Sequence, residues 1–205
     1  MTQSKKFVLG YEISDAVEFA LLYAERKEMD KAIEMCDSAR DIGNLNACEY
    51  YHLALIYVNN EMLEDTLDTL SYGIHLLPYK KNDEDLFLER SLYAQLGCTQ
   101  YFLSELGSGD YYNETYMNLK FAITGSLPAD VATKCGMVLI ETCLIVDDLD
   151  LAQELINNYS TGKLNEFVKR YGFSEDLEIA QETINLILGI DSGEFLETIG
   201  NQYIN

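Results

Sequence analysis

The sequence predicts an all-α chain built from repeated antiparallel helix pairs. Three observations carry this prediction. First, the chain matches itself at an offset of 34 residues: SDAVEFALLYAERKEMDKAIEMCDSARDIGN (14–44) aligns with CEYYHLALIYVNNEMLEDTLDTLSYGIHLLP (48–78). Second, apolar residues inside each copy recur at helical spacing. Third, only 2 of 205 residues are proline, while Leu, Ala, Glu and Ile are common, a composition that favours helix.

In register, Phe19 matches Leu53, Ala20 matches Ala54 and Tyr23 matches Tyr57. Met29 then matches Leu63, Ala32 matches Thr66, Cys36 matches Leu70, Ala39 matches Gly73 and Asn44 matches Pro78. Phe19, Ala20 and Tyr23 lie on one side of a first helix. Ala32, Cys36 and Ala39 form the inner stripe of a second. A small residue in each helix lets two backbones approach closely and cross antiparallel. The turns between them are polar, ERKEMD and VNNEML, and Pro78 stops the second unit because it cannot continue a helix.

The rest of the chain follows more loosely. LFLERSLYAQLGCTQYFLSEL (86–106), with Tyr93, Leu96 and Gly97, opens a third unit. An enlarged turn, GSGDYYNET (107–115), precedes the helix TYMNLKFAIT, which ends near Gly125 and Pro128. Residues 129–159 read as a fourth unit. Leu139, Ile140 and Cys143 stand in its first helix, DDLD with Leu149 in the turn, and Ala152 and Ile156 in its second helix. Three shorter segments follow: KLNEFVKRYG, SEDLEIAQETINLILG and SGEFLETIGNQYI. Ser174 and Ser192 stand where helices start, and Gly172, Gly189 and Gly200 where they stop. The expected organisation is one domain over 1–205. Its units span about 12–45, 46–79, 84–128 and 129–161, and a helical cap over 163–205 covers the last exposed face.

These residues resemble the tetratricopeptide repeat (TPR) family, which repeats every 34 residues with the pattern W-x2-L-G-x2-Y…A-x3-F…P. The second unit is the nearer match, with Tyr50, Leu53, Ala54, Tyr57, Thr66, Leu70 and Pro78. The chain has no tryptophan, and the glycine usual in the turn is Lys27 in one unit and Glu61 in the other. The resemblance implies a right-handed superhelix whose concave face is lined by the first helix of each unit. Carried onto this chain, that face holds Val17, Leu21, Tyr51, Leu55, Val58, Asn59, Tyr101 and Met137, with Ala94, Cys98 and Glu141 beside them. The family's clamp for a chaperone C-terminal carboxylate would need Lys, Asn and Arg. Val17, Leu21 and Tyr51 stand there instead, so that clamp is absent. The resemblance therefore implies a non-catalytic scaffold or adaptor that holds a protein or peptide, basic or apolar, in an apolar groove. An acidic secretion-type chaperone and a peptide-sensing regulator without its own DNA-binding domain are the alternatives. Equally, the stripe is covered by the chain's own C-terminal helices or by a second copy, as in a homodimer. Tyr111 and Tyr112, adjacent in the enlarged turn, are a further candidate contact.

Charge and motifs narrow the function classes. The net charge is −21, from 35 acids against 14 bases. Phosphate binding needs clustered Lys and Arg, so nucleic acid is disfavoured, as is an anionic membrane surface. No long apolar run predicts a spanning helix, and MTQSKKFVLGYEISDAVEF lacks the apolar core of a secretory signal. The 5 cysteines, Cys36, Cys48, Cys98, Cys135 and Cys143, show no CxxC spacing and read as buried thiols in a cytoplasmic, reducing setting. His52 and His75 are not spaced as ligands with any cysteine pair, so no metal is expected. No G-x-S-x-G, P-loop or dinucleotide fingerprint occurs, so neither catalysis nor a cofactor is expected. GSGD (107–110) reads as a turn, NDED (82–85) as a helix start and DDLD (147–150) as a solvated turn.

Overall fold

The structure is a computed structural model that describes residues 7, 8 and 10–189. The last predicted cap segment, with Ser192 and Gly200, lies outside the described residues. The chain falls into two compact units, 1–127 and 128–205. The first begins with a small antiparallel hairpin, β1 (Phe7–Val8) and β2 (Tyr11–Glu12), which the sequence pattern did not predict. Six helices follow: α1 (Asp15–Glu25), α2 (Met29–Ile42), α3 (Ala47–Val58), α4 (Leu63–His75), α5 (Asp83–Glu105) and α6 (Tyr112–Ile123). The second unit holds α7 (Ala129–Ile145), α8 (Leu149–Tyr159), α9 (Gly162–Tyr171) and α10 (Ser174–Leu188).

Within the first unit α1 packs on α2, α3 on α4 and α5 on α6. The leading helices also touch in succession, α1 against α3 and α3 against α5. Many of the positions matched at the 34-residue offset lie at the centre of this packing. Leu53, Ala54, Tyr57, Thr66 and Leu70 are fully buried in the second pair, as are Ala20, Ala32 and Cys36 in the first. Small residues mark the closest approaches: a Cβ on Gly97 of α5 would stand 2.7 Å from Leu119 Cδ2 of α6.

One turn joins the helices of every pair. The N–H of Glu28 donates to the Tyr23 carbonyl, Met62 to Tyr57, Ser108 to Leu103 and Asp148 to Cys143, at 2.9, 3.1, 2.9 and 2.9 Å. The residue before each donor is left-handed: Lys27 (φ 61), Glu61 (φ 59), Gly107 (φ 72) and Asp147 (φ 64). This is the Schellman closure, in which a left-handed residue lets the chain reverse while orphan carbonyls find donors. Lys27 and Glu61 thus keep the geometry of the glycine they replace, against a steric cost of about 1–2 kcal/mol. The same closure joins α9 to α10 at Gly172, where the Phe173 N–H meets the Val168 carbonyl at 3.0 Å. Yet α9 and α10 both lie on α7 and α8 rather than chiefly on each other.

The turn of the third pair is shorter than expected. Helix α5 starts at Asp83 and runs to Glu105. The connection spans only Leu106–Tyr111, so Tyr112 opens α6 instead of sitting on a loop tip. The two tyrosines fold back on α5: the Tyr111 N–H donates to Ser104 Oγ at 2.8 Å, and the Tyr112 hydroxyl donates to Glu105 at 2.8 Å.

Two buried acids tie the first unit together. Asn46 and Glu49 form a reciprocal capping box at the start of α3, and Asn82 and Asp85 form one at the start of α5. Glu49 also accepts the Ser14 N–H at 2.7 Å, the Asn46 amide donates to the Glu12 carbonyl at 2.8 Å, and the Tyr11 hydroxyl donates to Asp85. The strap of residues 11–14 is thereby fastened over the starts of the leading helices.

The buried thiols make stability depend on alkaline pH. Burial, helped by the charge of Asp37, pushes Cys36 from 9.0 up to about 12. Burial, helped by Glu49, pushes Cys48 up to about 11. Both states keep these protons below pH about 9. Above it the unfolded chain releases them first, so stability falls as pH rises and levels off beyond the folded values. Each thiol is expected to cost slightly under about 1 kcal/mol at pH 9.5. Urea midpoints at pH 7.5 and 9.5 measure this, and Cys36→Ala and Cys48→Ala should flatten the difference. A wild-type midpoint indifferent to this pH change would contradict it.

Candidate functional site

The leading helices of the first unit carry the accessible apolar residues that the sequence singled out. On α3, Tyr51, Leu55 and Val58 are half-buried and recur at helical spacing, with Asn59 exposed just beyond the helix. On α1, Leu21 is half-buried. On α5, Cys98 and Tyr101 are half-buried and Phe102 is 49% exposed. Rings cluster along this stripe. Tyr101 meets Phe102 edge-on at 5.9 Å and Tyr112 at 6.4 Å, and Tyr51 lies 5.8 Å from His52. Phe102 is the residue the sequence reading missed. It follows Tyr101 directly, and an i, i+1 neighbour points about a quarter-turn further round the helix.

Two predicted groove residues are corrected. Val17 is 0% exposed and belongs to the core with Ile13, Ala20 and Cys48. The physical reason is that α1 packs against both α2 and α3, which places Val17 in the core cluster they share. Met137, on α7, is 3% exposed. Here α9 and α10 pack directly on α7. Ala94 is likewise buried, whereas Glu141 stays half-buried on α7.

The stripe is electronegative at its margins. Among the described residues, α1, α3 and α5 carry a single Lys or Arg, Arg90, against acids that include Glu18, Glu25 and Glu105. Arg90 is turned onto α6: its guanidinium lies 3.6 Å from the Phe121 ring centre, donates to the Phe121 carbonyl and reaches Thr124 Oγ1 at 3.0 Å. The hydrogen bond to Glu105, helped by partial burial, raises the Tyr112 phenol above its ordinary range and keeps it protonated. Such a surface offers ring faces and aliphatic area to a docked segment, and a field that attracts cations. Among the described residues no three or more His, Cys, Asp and Glu side chains gather as a metal site. No described helix is long and apolar enough to cross a membrane.

Helix pairs closed by one repeated turn define a helical-repeat protein. Its fold is of the tetratricopeptide type, and comparison with solved structures agrees. YrrB, described as a TPR protein with an unusual peptide-binding site, is 16% identical with a TM-score of 0.56, and the match covers 90% of each chain. A protein described as a kinesin light chain of Podosopora anserina, with nearly identical TPR-like repeats, is 12% identical with a TM-score of 0.51. That match covers 84% of this chain and 92% of the other. At these identities the likeness speaks for the fold. No family model and no curated protein matches the sequence.

Proposed function

We propose that this chain is a non-catalytic interaction scaffold that holds a protein or peptide segment against the leading helices of its first unit. The observation that carries the reading is the accessible stripe of Tyr51, Leu55, Val58, Tyr101 and Phe102. Aromatic anchors of this kind dominate binding energy at interfaces. The one Lys or Arg of the three helices is engaged elsewhere, so a basic segment with apolar anchors is the complementary partner. An apolar, amphipathic helix or extended strand fits such a stripe. The peptide site of YrrB adds weight to a peptide-holding role for this fold.

The test is capture of partners from native lysate by the wild-type chain and by a Tyr51→Ala, Phe102→Ala double variant, with the variant's fold checked by circular dichroism. The captured segment is then mapped and titrated against both proteins. The variant should bind at least tenfold more weakly, about 1.4 kcal/mol or more, and added salt should weaken the wild-type complex. Equal affinity for both proteins would move the function away from this stripe.

A further inference from the structure

Away from the stripe, a cleft of about 450 Å³ opens between the first two helix pairs, lined by Asp37, Arg40, Asp41, Tyr50 and Tyr72. It shares no residue with the leading-helix site. Its aromatic wall is preformed: Tyr50 of α3 and Tyr72 of α4 stack with ring centres 5.9 Å apart and planes 25° from parallel. Gly73 makes this possible, because a Cβ there would come within 3.1 Å of Tyr50 Cβ. Tyr72 is 58% exposed, so one ring face stays open to a ligand.

The chain's own cation does not fill the cleft. The Arg40 guanidinium donates to Asp65 Oδ1 at 3.3 Å and to the Tyr57 hydroxyl at 3.5 Å, and lies over the Tyr57 ring at 5.5 Å. Tyr57 in turn donates to Asp37 at 2.6 Å. Arg40 and Asp37 are thus joined through a fully buried tyrosine, and Asp41 is left as the carboxylate facing the open space. Asp41 also lies in the last turn of α2, where unpaired carbonyls carry the negative end of the helix dipole. An open ring face, a carboxylate and a helix C-terminus all favour the same ligand charge.

We propose that this cleft receives a guanidinium or ammonium side chain, that of an arginine or lysine on a polypeptide partner. Exposed apolar residues next in the chain to the lining ones favour a polypeptide over a free polyamine. Ile42, directly after Asp41, and Leu76, one turn beyond Tyr72 at the C-cap of α4, are both exposed. Apolar residues flanking the basic one would cover them, which a free polyamine cannot do.

The test titrates isotope-labelled full chain with three blocked pentapeptides, Gly-Leu-Arg-Leu-Gly and its Lys and Gln counterparts, and with spermidine, followed by amide and tyrosine-ring shifts. The proteins are wild type, Asp41→Asn, Tyr72→Ala and, as a control, the Tyr51→Ala, Phe102→Ala variant. The Arg and Lys peptides should shift Tyr50, Tyr72 and Asp41, and the Gln peptide should not. Affinity should fall at least about fivefold in each cleft variant and stay unchanged in the control, which separates this site from the stripe. Shifts spread over the acidic surface, or undiminished in Asp41→Asn and Tyr72→Ala, would overturn the proposal. Spermidine binding the cleft as tightly as the Arg peptide would overturn the polypeptide assignment.

Discussion

Gly136→Ala is expected to destabilise the second unit by about 3–5 kcal/mol. Gly136 lies in α7 directly beneath Tyr159 of α8, and a Cβ there would overlap the phenol ring and its hydroxyl. The ring has nowhere to retreat, since Tyr159 is buried and its hydroxyl donates to the Ala132 carbonyl at 2.7 Å. Burial also pushes this phenol up to about 12, the mark of a group held away from water. The added methyl therefore does two things: it forces an overpacked contact, and it breaks a hydrogen bond whose acceptor stays on a helix. Set against a typical total of about 5–15 kcal/mol, that is a large loss. Urea unfolding followed by circular dichroism gives the size, and amide exchange should place the lost protection in α7 to α10. Adding Tyr159→Leu should recover part of the loss, because the two changes share one contact. A Gly136→Ala chain with the wild-type midpoint would show that α8 can slide away from α7.

The contrast between the two units shows what the sequence makes legible. The 34-residue offset was readable because Leu53, Ala54, Tyr57, Thr66 and Leu70 are core positions, where size is constrained. The repeated turn was less readable, because three of its left-handed residues are Lys27, Glu61 and Asp147 rather than glycine. Tertiary packing overrides local preference there. In the third pair α5 runs to Glu105, so the turn closes on Leu103 instead of at the spacing set by Tyr93, Leu96 and Gly97. The expected turn also lost its last four residues, Tyr112 to Thr115, to the first turn of α6. The hairpin at 7–12 has strands of two residues, too short for any periodicity to register. Of the predicted stripe, Leu21, Tyr51, Leu55, Val58, Asn59 and Tyr101 remain accessible, because helical spacing fixes which residues share a face. Coverage by other elements is not written in that spacing, so the burial of Met137 on α7, a helix that touches α8, α9 and α10, escaped it.

The same logic predicts that equivalent positions will not respond equally. Phe19 and Leu53 occupy one place in the repeat, yet Leu53 is 0% exposed and Phe19 is 54% exposed. Leu53→Ala should cost about 2–5 kcal/mol, the lost transfer energy plus the cavity left in a packed core. Phe19→Ala should cost less than about 1 kcal/mol, as surface truncations do. In a stacked array each unit buries its neighbour's face. Among the described residues, no helix precedes α1, whereas α3 has α1 and α2 on one side and α4 and α5 on the other. Paired urea titrations of the two variants decide the point. If Phe19→Ala proves as costly as Leu53→Ala, the face of α1 is covered in solution, and the first pair is an interior unit of a larger stack rather than its edge.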